Sequence, residues 1–397
     1  MESLRVRFFL IAAAIVAAIA CDREDPLSPQ PDPGPEAEPV FNLENPTVQS
    51  YLDILEAFPY RDGDYSYSRI DEYYQSPTSF RKDCPFPVTV TWTWDREAVS
   101  QRIYVSEKED FSESLFWLVS ARAESYDIYN LVPGKHYYWK TTVTLSDGST
   151  RQLDSGSFST VGRRRFLKID NICNVRDLGG IPTSDGTQRI KYGLLFRGGE
   201  MNGYHQDYDN RYCRISATGI KEMKQLEIMA DLDMRTAVEA VNITESPLGA
   251  DADYIRYETA NQYYYDKFWN TDEYINAVQW TIDELRCGKP VFFHCIYGAD
   301  RTGTLAFIIE AVLGVGENEL SKDYELTSFS YGLSSPPRRR GPKNELSVYR
   351  YRQMLEAVLS QQFKGNTLQE KIRIFLESGG ISSADIDWFI SYMLEPL

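Results

Sequence analysis

The spacing of apolar residues changes along the chain, and each change predicts a different kind of element. From about Asp83 to Thr160 the period is two. Val88, Val90, Trp92 and Trp94 share one face of "VTVTWTW", and "RIYVS", "SLFWLVS", "HYYWKTTVTL" and "GSFST" follow, with an Asp147-Gly148 turn before the last. Short alternating runs at regular spacing predict an all-β sandwich over residues 83–161. After the basic "GRRRF" junction the period becomes helical. Ile220, Met223 and Leu226 lie on one helix face, as do Ile275, Val278, Ile282 and Leu285, whose helix stops at Gly288 and Pro290. Each helix leads into an apolar run, "IMADLDM" or "VFFH", so residues 165–397 read as an α/β domain. "TGTLAFIIEAVLG" is apolar nearly all round, which predicts a helix buried at the domain's centre.

The N-terminal stretches follow neither period. Arg5 and Arg7 precede thirteen residues from Phe8 to Ala20, and Cys21 follows at once. That layout predicts an export signal over residues 1–21, too short for a comfortable membrane span. The next stretch, "DREDPLSPQPDPGPEAEP", carries six prolines and an excess of acid, so residues 22–44 are expected to form a disordered tether. Residues 45–82 carry no period that assigns them. With 397 residues, 42% of them hydrophobic, the chain is long enough for two or three domains. A net charge of −16 disfavours a nucleic-acid partner, which needs a basic footprint. Cys84, Cys173, Cys213 and Cys287 permit disulfides in an exported protein, and sequence does not choose among the pairings.

The chemistry concentrates in "VFFHCIYGADRTG", Val291 to Gly303. A strand, a tight loop and the first turn of a buried helix bring backbone N–H groups and the positive helix end to one point, an anion site. Cys295 stands at that point. A thiol of ordinary pKa about 8.5 falls at a helix N-terminus near cations and becomes a nucleophilic thiolate at neutral pH. Arg301 returns a planar fork able to hold two oxygens of an oxyanion. Gly298 lets the loop turn and approach a ligand, with Ile296, Tyr297 and Ala299 supplying its other amides. Thr302 is placed to donate to the sulfur, and His294 supports the loop. This set implies phosphoryl transfer to sulfur, with no metal or cofactor required. Two carboxylates compete for general acid: Asp300, within the loop and favoured for that reason, and Asp233, at the end of an apolar strand.

"HCIYGADRTG" resembles the signature loop of the protein tyrosine phosphatase superfamily, in its bacterial branch. "NVRDLGG", "LLFRGGEM", "DMRTAVE" and "DYELTSFS" are similar to further family segments in the same order, and the resemblance covers roughly Arg165 to Leu397. It implies a central, mostly parallel sheet flanked by helices and hydrolysis of phosphotyrosine through a cysteinyl phosphate. Ala299 stands where the branch often has lysine and so removes a cation that helps related enzymes bind phosphoinositide headgroups, which places an inositol-phosphate or phosphoinositide substrate second to phosphotyrosine; a non-catalytic phospho-ligand binder is a third reading. "LVPGKHYYWK" is similar to fibronectin type III domains, with Tyr137 in the place of the corner tyrosine. "AAIAC" resembles a bacterial lipobox, which implies lipid on Cys21 and anchorage at the cell envelope.

Overall fold

The computed structural model describes residues 38–44, 87–202, 214–259, 267–327, 331–332, 338–339, 348–360 and 363–397. The export signal with Cys21, residues 22–37 of the tether, the unassigned segment from 45 to 82, Cys84 and Cys213 lie outside them.

The alternating region forms strands β1 (Val40–Asn42), β2 (Val88–Thr91), β3 (Ala98–Ser106), β4 (Leu115–Val119), β5 (Ser125–Ile128), β6 (His136–Leu145) and β7 (Thr150–Val161). They make a five-stranded sheet in the order β1-β7-β6-β3-β4 and a pair β2-β5. Val88, Val90 and Trp92 meet Ile103, Val105, Tyr137 and Phe158 in one buried core between the two. Tyr137 Oη accepts a hydrogen bond from Val132 N at 2.9 Å, closing a corner five residues upstream of its own position. Two details differ from the sequence expectation. Trp94 lies beyond the end of β2 and is half-buried. The tether expected over 22–44 ends sooner, because Val40–Asn42 pairs in parallel with β7 and Leu43 enters the core at 6% exposure. Proline-rich composition marked the whole stretch as unfoldable, but three residues need only a free sheet edge to pair with.

From residue 165 the chain forms strands β8 (Arg165–Phe166), β9 (Arg176–Asp177), β10 (Gln188–Ile190), β11 (Leu195–Gly198), β12 (Ala230–Asp233), β13 (Asp253–Arg256) and β14 (Val291–His294). It also forms helices α1 (Ala217–Gln225), α2 (Glu273–Arg286), α3 (Asp300–Val312), α4 (Glu317–Leu326), α5 (Val348–Leu359), α6 (Leu368–Ser378) and α7 (Ser383–Met393), and three short strands, β15 (Tyr331–Gly332), β16 (Arg338–Arg339) and β17 (Leu394–Pro396). The main sheet runs β13-β12-β14-β11-β9-β8. Strands β13, β12, β14 and β11 run parallel to one another, and β9 and β8 add an antiparallel edge. All four residues of β14 are buried, as expected of a central parallel strand covered on both faces. Helix α3 is buried along nearly its whole length, and Leu305, Ile308, Ile309 and Val312 fill the larger core. A smaller core under α1 holds Met223, Leu226, Phe196 and Phe292.

The sandwich is joined to the α/β part by polar contacts at the junction. Arg165 donates to Asn130 O at 2.6 Å and Leu131 O at 3.1 Å, and pairs with Asp177 at 2.9 Å. The Asn130 side chain returns two bonds to the main chain of Lys168. Arg164 pairs with Glu319 on α4 at 2.5 Å. Asp177 also accepts from Gly179 N and Gly193 N, so one carboxylate ties the junction to two turns. Removing one partner of a buried pair leaves an uncompensated charge. Arg165→Ala is therefore expected to destabilise the fold by about 3–5 kcal/mol, measured as the shift in denaturant unfolding; a loss indistinguishable from that of an exposed arginine would refute the latch.

Candidate active site

Strand β14 delivers Cys295 to its C-terminal end, and the next residues must turn at once into α3. Gly298 makes that turn with φ +64°, and a Cβ there would lie 2.3 Å from Gly198 O on the neighbouring strand, so both conformation and space require glycine. Ala299 occupies the N-cap of α3 and its side chain caps nothing, so the first N–H groups of the helix are left to the loop.

The loop's carbonyls are held outward. Ile296 O accepts from Glu200 N at 3.1 Å. Asn174 Nδ2 donates to Tyr297 O at 3.1 Å and to Gly298 O at 2.8 Å, and Arg197 Nη2 reaches Gly298 O at 3.0 Å. Arg197 and Arg176 both bind Asp323 on α4, and Arg176 donates to Asn174 Oδ1. This buried network lies behind the loop, and its job is to fix which way the peptide planes face.

In front of the loop the groups converge on sulfur. Cys295 is 4% exposed. Burial alone would raise its thiol, but Arg301, the Thr302 hydroxyl and the backbone N–H groups of Thr302 and Tyr297 outweigh it and hold the thiol below its ordinary pKa. Thr302 Oγ1 is buried and bonded to no oxygen or nitrogen acceptor, so its dipole is left to serve the sulfur. Arg301 is gripped in bidentate fashion by Glu239, Nη1 to Oε2 at 2.6 Å and Nη2 to Oε1 at 3.0 Å, and also approaches Met234 O at 3.3 Å. Burial tends to raise the Glu239 carboxyl, yet Arg301 and Thr236 keep it below the usual range. A charged fork held on one edge can turn its other edge to an oxyanion.

The two candidate acids stand in different surroundings. Asp300 is the first residue of α3 and is half-buried, and its carbonyl accepts from Thr304 Oγ1 at 3.0 Å. Asp233, 0% exposed, is bound by Arg235 through N at 2.9 Å, Nε at 2.9 Å and Nη2 at 2.7 Å, and by Tyr254 Oη at 3.0 Å. Burial would raise this carboxyl, but His294 and Arg235 hold it well below the usual range. His294 itself sits under Cys295 with Nε2 3.1 Å from Asp231 Oδ1.

All the residues singled out in the loop thus gather at one site, and Asp233 lies under it. Sequence reading gave no role to Glu239, Asn174, Arg197 or Asp231. The signals were present: Glu239 and Asn174 lie within quoted motifs, and Arg197 and Asp231 are charges inside runs whose neighbours are all apolar.

Residues 167–377, more than half of the chain, match the model of the tyrosine phosphatase family. The chain belongs to that family. A Cupriavidus necator protein named as a candidate tyrosine-protein phosphatase is 25% identical over 187 residues, 42% of this chain and 64% of that protein, so the chain spans less than two thirds of this relative. Among solved structures, P. aeruginosa TpbA gives a TM-score of 0.26 at 15% identity, covering 45% of this chain and 96% of TpbA. A cysteine-to-serine variant of TpbA in complex with phosphotyrosine gives 0.26 at 15%, covering 44% and 91%.

The family's loop chemistry makes the Thr302 hydroxyl a direct probe of the sulfur. Thr302 is one of the groups that hold the folded thiol below its ordinary pKa, so loss of this donor moves it back up. Thr302→Val should slow iodoacetamide alkylation of Cys295 several-fold near neutral pH and leave the rate unchanged in alkaline solution. Equal rates throughout would show that the hydroxyl does not act on the sulfur.

Proposed function

We propose that this chain is a cysteine-dependent phosphatase that hydrolyses phosphotyrosine monoesters through a cysteinyl-phosphate intermediate. The observation that carries the reading is the convergence of a thiol held below its ordinary pKa, the N-terminus of α3 and the Glu239-held fork of Arg301 on one point. Cys295 Sγ attacks phosphorus in line, and the bond from phosphorus to the phenolic oxygen breaks. The equatorial oxygens are met by loop amides and Arg301, where preorganised donors act without reorganisation. Asp300 gives its proton to the leaving oxygen. In the second step Asp300 takes a proton from water, the water oxygen bonds to phosphorus, and Cys295 departs as a thiolate steadied by Thr302. Family membership supports this chemistry.

The surroundings of the two carboxylates favour Asp300 as the acid. A group held ionised by Arg235 and Tyr254 has no proton to give at neutral pH, whereas Asp300 opens the helix at the rim of the loop. Ala299 puts a methyl where a lysine would add a cation for a second phosphate, which supports a monoester substrate over an inositol polyphosphate. We further read the β-sandwich as fibronectin type III-like, supported by its two-sheet order and the Tyr137 corner. The chain is read as exported and held at the bacterial envelope by lipid on Cys21; if Cys21→Ala protein stays in the membrane fraction as before, that anchorage falls.

The catalytic reading is tested on the purified soluble part with phosphotyrosyl peptides, phosphoseryl peptides and inositol phosphates, with Cys295→Ser as the inactive control. Asp300→Asn should slow alkyl phosphates more than aryl phosphates and remove the descending alkaline limb of the pH profile, since a phenol of pKa about 10 needs less help to leave. Asp233→Asn should slow both alike. The reverse pattern would make Asp233 the acid, and no turnover of any phosphate would end the phosphatase reading.

A further inference from the structure

Beneath Cys295 three buried carboxylates, Asp231, Asp233 and Glu200, face one guanidinium, Arg235, and an imidazolium at His294 would offset part of the excess. On this face of the sheet β12 presents Asp231 and Asp233, and the parallel register sets Asp233 beside His294 of β14. Arg235 binds both Asp233 and Glu200, at 2.7 and 2.8 Å. Asp231 is then a third carboxylate with no guanidinium of its own. It is 1% exposed, and among the described residues neither oxygen accepts a hydrogen bond; its ion-pair partner is the His294 ring, Nε2 3.1 Å from Oδ1. A leucine or valine would pack against Phe292 and the small core at no such cost, whereas an unpaired buried carboxylate is strongly unfavourable. Some partner must offset that cost, and His294 is the one within reach.

The geometry suits a doubly protonated ring. Nε2 lies 3.1 Å from Asp231 Oδ1, within ion-pair distance, and Nδ1 lies 3.3 Å from Cys295 O, so an imidazolium has a counter-charge beside one proton and an acceptor for the other. The ring also stacks on Phe292 with centroids 5.6 Å apart, which fixes its plane. The titratable and charged groups around it are Asp231 and Asp233 on β12, Arg235 just beyond, Tyr254 on β13 through Asp233, Glu200 after β11, and the Cys295 thiol. Met223 and Leu226, from the segment covering this face, add no charge. Burial works against the imidazolium, Asp233 and Asp231 work for it, and the balance raises His294 above its ordinary pKa.

We propose that Asp231 is a positioning residue for the phosphoryl transfer: it fixes His294 as an imidazolium, and this charge, one residue from Cys295, keeps the nucleophile a thiolate. Asp231 acts only through Cys295, so its role rests on Cys295 being the nucleophile. In the full chain Asp231→Asn keeps the shape and removes the charge. Alkylation of Cys295 by iodoacetamide should then slow roughly tenfold near neutral pH and stay unchanged in alkaline solution. The acid limb of kcat/KM for an aryl phosphate should move the same way. His294→Gln should reproduce the loss, and the double variant should add nothing to it, as for two residues acting as a unit. A merely structural carboxylate would lower thermal stability and leave the alkylation profile in place, which would overturn the proposal.

Should Asp231→Asn fail to fold, the wild type decides. The chain has only three histidines, so the imidazole NMR signal lost in His294→Gln identifies His294. A ring protonated on both nitrogens at neutral pH supports the role of Asp231, and a neutral ring refutes it. Neither alkylation nor NMR needs a substrate. A shifted alkylation profile without turnover of any phosphate would therefore count against the phosphatase reading and leave the coupling of Asp231, His294 and Cys295 standing.

Discussion

A loop that offers its amide N–H groups to an anion must turn its carbonyls the other way, and buried carbonyls need donors. That requirement organises the rest of this structure. Ile296, Tyr297 and Gly298 each give their carbonyl to a donor behind the loop: the main chain of Glu200, the side chain of Asn174 and the fork of Arg197. Gly298 adopts the left-handed backbone that lets its carbonyl reach them. The chemistry in front of the loop is possible because the carbonyls behind it are engaged.

Those donors are themselves charged and buried, so they require partners in turn. Arg176 and Arg197 share Asp323, and burial together with the mutual repulsion of the two guanidiniums pulls Arg176 down to about 10. Glu310 of α3 lies beside them, and burial raises its carboxyl well above the ordinary range. On the other face of the sheet Arg235 serves Asp233 and Glu200 while His294 serves Asp231. Two ionic layers thus bracket β14. Apolar residues would stabilise the fold as well or better, so the layers are explained by what they hold in place.

The sandwich enters the same scheme through Arg165 and Arg164. Arg165 joins sandwich carbonyls to Asp177, the residue after Arg176, and Arg164 joins the junction to α4, which carries Asp323. The β-module is therefore packed onto the segment that supports the loop.

The sequence by itself determined the element types, the order of the two domains and the identity of the loop residues, because each is a local property. Alternation of Val88, Val90 and Trp92 sets a strand face, the spacing of Ile275, Val278, Ile282 and Leu285 sets a helix face, and Cys295, Gly298, Arg301 and Thr302 are covalently close. What only the tertiary structure decided is how groups distant in the chain share charge. Glu239 meets Arg301 and Asn174 meets Gly298 only after β12, β14 and α3 are assembled. Asp300 stood apart from Asp233 only by its place in the loop, and the surroundings that distinguish the two came from Arg235 and Tyr254 folding over Asp233. Burial decided it, because in a low-dielectric interior a carboxylate's partners set its proton, and no local pattern names those partners. The same reason hid β1, whose three residues follow a proline-rich run and become a strand only when β7 offers an edge.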